Sequence, residues 1–573
     1  MIRLNSFAPL VAFALAACAA PATAPLNTPT AAKAPGVYTG LVSAAEGRAA
    51  EAGVAMLKQG GSAADAAIAT MLALTVVEPQ SSGIGGGGFL VYHDEAGHIV
   101  TLDGRETAPA VASPKQFLSP DGAPMPQSEA ATGGRSVGVP GNVAIAAEAH
   151  RRWGKLPWAK LFEPAIALAA GYDVTPRMNR FIAYGRDGLV RQPAAAALYL
   201  TPAGTPRPAG DHIANPALAA TLRTIAVEGP NAFYTGRIAA SIVDAVSHAP
   251  TNPTAMTLAD LAAYKAKDRA PICGRYRAYR VCGMGPPSAG GVAVLQILQQ
   301  LERFDLAKLG PDSPLAWHLI GESQRLAYAD VYKWQGDADF VKVPIAGLTA
   351  PAYIAARSKL ISETATIPKA EAGMPAGAPP RIPANDNNVH GTTNFVAADA
   401  RGGVAVYTAT VERPFGSGLV AGGFVLNNEL TDFNFNPADK DGLTANRVQP
   451  GKRPRSAMSP TLVLDSKGNV VLAIGGAGGI TIIAQVVKTI IAVVDWKMPV
   501  QQAIAAPQLI AIGDRFAIEK GSRLEALRPA LEALGHTVSA PNNPFLKLNG
   551  AERVPGGWSG GADARTDGQV VGY

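Results

Sequence analysis

The chain has 573 residues, of which 48% are hydrophobic and only 16% charged, so it is neither a disordered polyelectrolyte nor short of material for a large core. Fifty Lys and Arg against 44 Asp and Glu leave a formal charge of +6. That charge is diluted along the chain without a basic run, and it points to no nucleic-acid partner.

Residues 1–18 read as a targeting segment: Arg3 precedes an apolar run at 7–17 that is too short for a bilayer core of about 30 Å. The run ends in Leu15-Ala16-Ala17-Cys18, which is similar to a bacterial lipoprotein cleavage box and would make Cys18 the lipidated first residue. Ordinary secretion with a cut at nearby small residues is the other reading; in both the mature chain leaves the cytoplasm. By the same resemblance Ala19, not being acidic, favours outer-membrane over inner-membrane sorting. Residues 19–35, rich in Ala, Pro and Thr, form a tether.

Behind the tether, helices and strands alternate. A helix over 49–58 stops at Gly60-Gly61, and Ser62 with Asp65 makes a capping box for a second helix through Thr75. The glycine-dense 81–94 feeds a strand; without a following Lys-Ser or Lys-Thr, or a helix, it does not bind phosphate. A strand at 99–102 leads to Arg105, a side chain suited to a two-pronged hold on a carboxylate. Helices follow at 143–153, 158–170, 216–228, 236–247, 292–301 and 314–328. Cys273 and Cys282 face each other on a hairpin with a tight Gly-containing turn, either joined or as two buried free thiols. No His or Cys lies near them at ligand spacing, no HExxH pair exists, and no metal is expected.

Residues 368–383, rich in Ala, Gly and Pro, form an exposed and flexible approach to the junction Gly391-Thr392. Two strands then pair, 393–399 and 403–411, with Thr392, Asn394 and Val396 on one face. A threonine directly after a glycine is what self-cleavage requires: its hydroxyl attacks the Gly391 carbonyl, the ester hydrolyses, and the freed amino group becomes the base for its own hydroxyl.

These stretches, with GGSAADAAIATMLALTVVEPQSSGIGGGGFLVYH, DGRETAP, GGRSVGVPG, PNAFYTGRIA, ESQRLAYADVY, FGSGLVAGGFVLNNELTDF, KRPRSAMSPTLVL and GGAGG, resemble the gamma-glutamyltransferase (glutathione hydrolase) family of N-terminal-nucleophile hydrolases. The resemblance implies an α/β (α+β) fold, an αββα four-layer sandwich of two stacked antiparallel sheets flanked by helices. It also implies one heterodimer of a large subunit, 36–391, and a small catalytic one, 392–573, although length alone suggests several domains. Carried over residue by residue, it makes Thr392 the nucleophile, oriented by Thr410, with Gly478 and Gly479 as the oxyanion hole. Arg105 and Ser456 would bind the donor's α-carboxylate, and Glu412, Glu429 and Asp432 its α-ammonium. Residues 436–449 lie where relatives carry a lid, and no cofactor is implied. The chain departs from the family at Asn394, usually histidine, and at Ala457, usually a second serine; Glu412 is often asparagine, and the loop AGGFVL is short. The substrate would be a γ-glutamyl amide such as glutathione. A glutaryl-type acylase of the same fold and an unprocessed surface lipoprotein are the alternatives.

Overall fold

Alternating side chains on the two strands after Thr392 decide the layering. The computed structural model describes residues 36–384, 391–543 and 545–573; the expected leader and tether with Cys18, and residues 387–390 ahead of the junction, lie outside them. Thr393–Ala398 and Val404–Thr410 pair antiparallel, with Thr408 opposite Asn394. Phe395, Ala397 and Tyr407 pack on the helices Gly47–Lys58 and Ala63–Val77, whereas Val396, Ala398 and Val406 join the cluster that includes Leu462, Leu472 and Ile474 of a second sheet. A one-residue slip would exchange these two sets.

The first sheet has seven strands in the order Gln569–Gly572, Leu41–Ala44, Thr393–Ala398, Val404–Thr410, Gly87–His93, Ile99–Gly104 and Lys267–Arg269. The second has six: Gly557–Ala562, Lys547–Val554, Val470–Ala477, Thr461–Leu464, Tyr279–Gly283 and Ile272–Tyr276. The sheets stack, and the helices Gly290–Gln300, Pro314–Trp334 and Thr481–Val494 form the outer layer on the second. This is the four-layer αββα sandwich. Each sheet takes strands from both sides of residue 391, interleaved in the first and side by side in the second, so the chain before and after the junction cannot be two separate domains.

The Ser62–Asp65 capping box forms, and Asp399 Oδ2 accepts from Ala63 N–H at 2.9 Å, so the turn of the Thr392 hairpin is tied to that helix N-terminus. Cys273 and Cys282 are directly paired across their hairpin and joined as a disulfide. The turn between their strands contains no glycine: Arg277 takes φ +53° in the place where one was expected. The helix expected at 158–170 divides into a 3-10 turn, Trp158–Phe162, and Glu163–Ala169, because Pro164 enters the helix where it lacks an N–H to give. Residues 368–383 are irregular but held: Trp334 Nε1 donates to the Gly373 carbonyl, and Gly373 N–H to Asp330 Oδ1. The Gly373 contacts tie the start of this stretch to the long Pro314–Trp334 helix.

Candidate active site

Thr392 stands one residue before its strand with φ +84°, a region that a β-branched residue adopts only under strain of order 1–3 kcal/mol. All three of its polar groups are held. The hydroxyl donates to Thr410 Oγ1 (3.1 Å), the amide to the Ser81 carbonyl (3.2 Å), and the carbonyl accepts from Lys547 Nζ (2.9 Å). Thr410 Oγ1 also accepts from Glu412 N–H at 2.7 Å, and Glu412 itself has φ +79°. A Cβ on residue 391 would lie 1.7 Å from the Glu412 carbonyl oxygen, so only glycine fits before the threonine. The glycine-dense stretch runs underneath: a Cβ at Gly86 would meet the Thr410 carbonyl at 1.9 Å.

Thr392 opens on a cavity of 40 Å³ shared with Arg105, Glu429, Asp432, Ser456 and Gly479. That is room for about three waters, less than a glutamyl group needs. The reason is visible in Arg105, which is buried and ion-paired to both Glu429 and Asp432 while donating to the carbonyls of Pro454 (3.2 Å) and Arg455 (2.9 Å). The arginine and two of the acids assigned to opposite ends of a substrate therefore hold each other. Burial pushes the Glu429 and Glu412 carboxyls well above the usual range and Asp432 upward, while Arg105 pulls all three back. Glu106, beside them, is pushed up to about 7 by the same burial. A zwitterion could enter without unbalancing charge, its carboxylate taking the guanidinium and its ammonium taking the acids.

Glu412 does not line this cavity. Its carboxylate is buried, 3.9 Å from Arg413 Nε, and among the described residues neither oxygen accepts a hydrogen bond. Ser456 does line it, with its Oγ accepting from Met458 N–H (3.1 Å); Ala457 lies next to it on the wall. Gly478 (φ +119°) and Gly479 (φ +62°) follow the strand Val470–Ala477 and precede the helix Thr481–Val494. Among the described residues no group accepts from either N–H, which leaves both free to hold an oxyanion. Asn394 is not at the cavity: Thr408 Oγ1 donates to its Oδ1 (2.8 Å), its Nδ2 donates to the Asn549 carbonyl (3.3 Å), and a Cβ at Gly475 would meet it at 2.1 Å. Residues 436–449 form a small ribbon, Ala438–Asp439 with Gly442–Leu443, and Asn446 pins it by donating to the Asp432 carbonyl and accepting from Arg455 N–H.

Sequence reasoning missed Lys547, Glu78, Ser81, Tyr328 and Tyr332. The two tyrosines line the cavity from the Pro314–Trp334 helix, one turn apart. A lysine between Leu546 and Leu548 in a buried strand was the available signal for Lys547, since a charge there must have partners. Among the described residues no group of His, Cys, Asp or Glu side chains could hold a metal ion.

The chain is similar to known proteins along most of its length. The chain is 36% identical over 547 residues to the glutathione hydrolase proenzyme of Bacillus subtilis (strain 168), covering 93% of this chain and 91% of that one. The corresponding Escherichia coli (strain K12) proenzyme is 37% identical over 511 residues, 87% of this chain and 86% of its own. The acylase ACY 1 proenzyme of Pseudomonas sp. (strain SE83) is 34% identical, with 91% of each chain covered. Among solved structures, a cephalosporin acylase from Bacillus halodurans superposes with a TM-score of 0.84 at 27% identity, over 97% of this chain and 99% of that one. A Helicobacter pylori gamma-glutamyltranspeptidase chain gives 0.54 at 35% identity, over 56% of this chain and 91% of its own. The gamma-glutamyltranspeptidase family model matches residues 49–573, and with relatives of this identity along nearly the whole chain, the protein belongs to the gamma-glutamyltranspeptidase family.

Proposed function

We propose that the chain is a gamma-glutamyltransferase with glutathione hydrolase activity, which cuts itself between Gly391 and Thr392 and then uses the new N-terminal threonine as nucleophile. The observation that carries this is the three-point hold on a strained Thr392 at the edge of a cavity containing Arg105. Processing begins when the Thr392 hydroxyl attacks the Gly391 carbonyl; hydrolysis of the ester leaves a carboxylate on Gly391 and an amino group on Thr392. The result is a heterodimer of 36–391 and 392–573.

In turnover, Arg105 and Ser456 take the donor's α-carboxylate, and Glu429 and Asp432 its α-ammonium. Thr392 Oγ adds to the γ-carbonyl while its proton passes to the Thr392 amino group, and the N–H groups of Gly478 and Gly479 receive the negative oxygen. The amino group hands the proton to the departing amine, leaving a γ-glutamyl ester on Thr392. Water or an amino acid releases the acyl group. Glu412 acts from behind Gly391, in the segment that shapes the junction. The Leu15–Cys18 sequence supports export and attachment to the outer membrane through lipidated Cys18; the mass of the N-terminal peptide tests it.

A denaturing gel of purified protein is expected to show two fragments, the smaller beginning Thr-Thr-Asn-Phe, and Thr392→Ala one inactive band. Turnover by Thr392→Ala refutes the proposal. The likeness to the Bacillus halodurans cephalosporin acylase favours a glutaryl side chain as second reading. Comparing γ-glutamyl-p-nitroanilide with glutaryl-p-nitroanilide decides between them: a higher kcat/KM for the second assigns the acylase.

A further inference from the structure

Lys547 opens the strand Lys547–Val554 opposite Ala477, the residue just before Gly478, so its side chain reaches the nucleophile from the oxyanion side. It is buried, and its Nζ donates to Glu78 Oε1 (2.5 Å), Ser81 Oγ (2.6 Å) and the Thr392 carbonyl (2.9 Å). Three acceptors match the three donors of an ammonium. Ser81 in turn donates to Glu78 Oε1 (3.1 Å), and its carbonyl takes the Thr392 N–H. An ion pair that only joined the strand to the C-terminal end of the helix Ala63–Val77 would be complete with Glu78. The third bond goes to the residue that carries the chemistry.

We infer that Lys547 is a positioning residue for the reaction: it fixes the Thr392 carbonyl, and as a cation beside the Thr392 amino group it keeps that group unprotonated and able to act as base. This rests on Thr392 being the N-terminal nucleophile. An amino terminus in water titrates at about 7.7–8.0, and an ionised acid across the cavity, Glu429 or Asp432, would raise it further. A base that is protonated at working pH cannot take the hydroxyl proton. Lys547 opposes those acids, as do Arg105 and Arg455 from the cavity wall. Around Lys547 itself stand Glu78, Arg177 of the helix Pro176–Leu189, and Asp567. Burial lowers the Lys547 ammonium to about 8 although Glu78 supports it, so it is still charged at pH 7. Lys547 gives up no proton: the one that leaves Thr392 Oγ goes to the Thr392 nitrogen and on to the leaving amine.

The test is the acid limb of kcat with saturating γ-glutamyl-p-nitroanilide, measured on processed enzyme. In Lys547→Met/Glu78→Gln, which removes both charges of the pair, the limb is expected to move to higher pH by about half a unit to one unit. Lys547→Arg, which keeps the charge, holds the limb at the wild-type position even where kcat falls. Should the double variant not fold, Lys547→Gln carries the same prediction. A limb that stays in place without the charge, or that moves equally in Lys547→Arg, overturns the inference while leaving the nucleophile assignment intact. Turnover by Thr392→Ala overturns the assignment itself.

Discussion

Thr410→Val removes one oxygen and keeps the shape of the side chain, so its effect isolates what that oxygen holds. Two donors converge on it, the Thr392 hydroxyl at 3.1 Å and the Glu412 N–H at 2.7 Å. The second is a backbone group in a fully buried residue, and leaving it unpaired costs about 1–3 kcal/mol. The first is a neutral hydrogen bond of about 0.5–1.5 kcal/mol. Because Glu412 sits at φ +79° with its carbonyl against Gly391, relaxation of its N–H moves the junction as well, and the two terms act on the same step. Together they amount to about 1.5–4.5 kcal/mol, or roughly ten- to a thousandfold in rate. The assay is a time course of the two fragments on a denaturing gel, followed by release of p-nitroaniline from whatever enzyme matures. Thr410→Ser keeps the oxygen and is expected within about threefold of wild type. If Thr410→Val matures with the wild-type half-time, the orientation of Thr392 does not depend on this contact and the reasoning fails.

Ala457→Ser adds a hydroxyl beside Ser456; it is expected to lower KM about ten- to a hundredfold for γ-glutamyl-p-nitroanilide and likewise for the glutaryl analogue, whose terminal carboxylate takes the same place, and steady-state kinetics on both substrates checks it. His536 is held well below its ordinary value, at about 3, by burial, with the His318 ring 2.7 Å away. A depressed histidine contributes stability above about pH 6.5 that is lost as pH falls, some 2 kcal/mol by pH 5. Chemical denaturation of His536→Gln at pH 7.5 and 5.0 should therefore show a pH loss smaller than the wild type's by that amount. Replacing Cys273 and Cys282 together by serine opens a short loop and should lower unfolding free energy by about 2–3 kcal/mol, read from the same denaturation, with turnover retained.

What could be read in advance follows from how local each interaction is. The capping box at Ser62 and Asp65 and the alternation after Thr392 are set within a few residues, and the structure has both. The glycine at 391 was legible as a steric requirement, although the atom that enforces it, the Glu412 carbonyl, could not be named from spacing. Contacts that close over hundreds of residues left less trace. Arg105 meets Glu429 and Asp432 across separations of 324 and 327 residues, and Lys547 meets Thr392 across 155. The first set was reached only through a family resemblance, and the lysine was not reached at all.

The resemblance assigns Arg105 to the donor's α-carboxylate, and Glu429 and Asp432 to its α-ammonium. In the structure they neutralise one another, and Asn446 and Arg455 hold the 436–449 ribbon onto the same group. Opposite charges buried together are each other's cheapest partner until something of matching charge replaces them. A ligand with only a carboxylate could pair with Arg105 but would strand Glu429 and Asp432 without a cation; one carrying both an α-carboxylate and an α-ammonium compensates both sides. The same pairing that shrinks the cavity to 40 Å³ thus selects for a zwitterionic end group, which is what a γ-glutamyl donor has and a glutaryl side chain lacks.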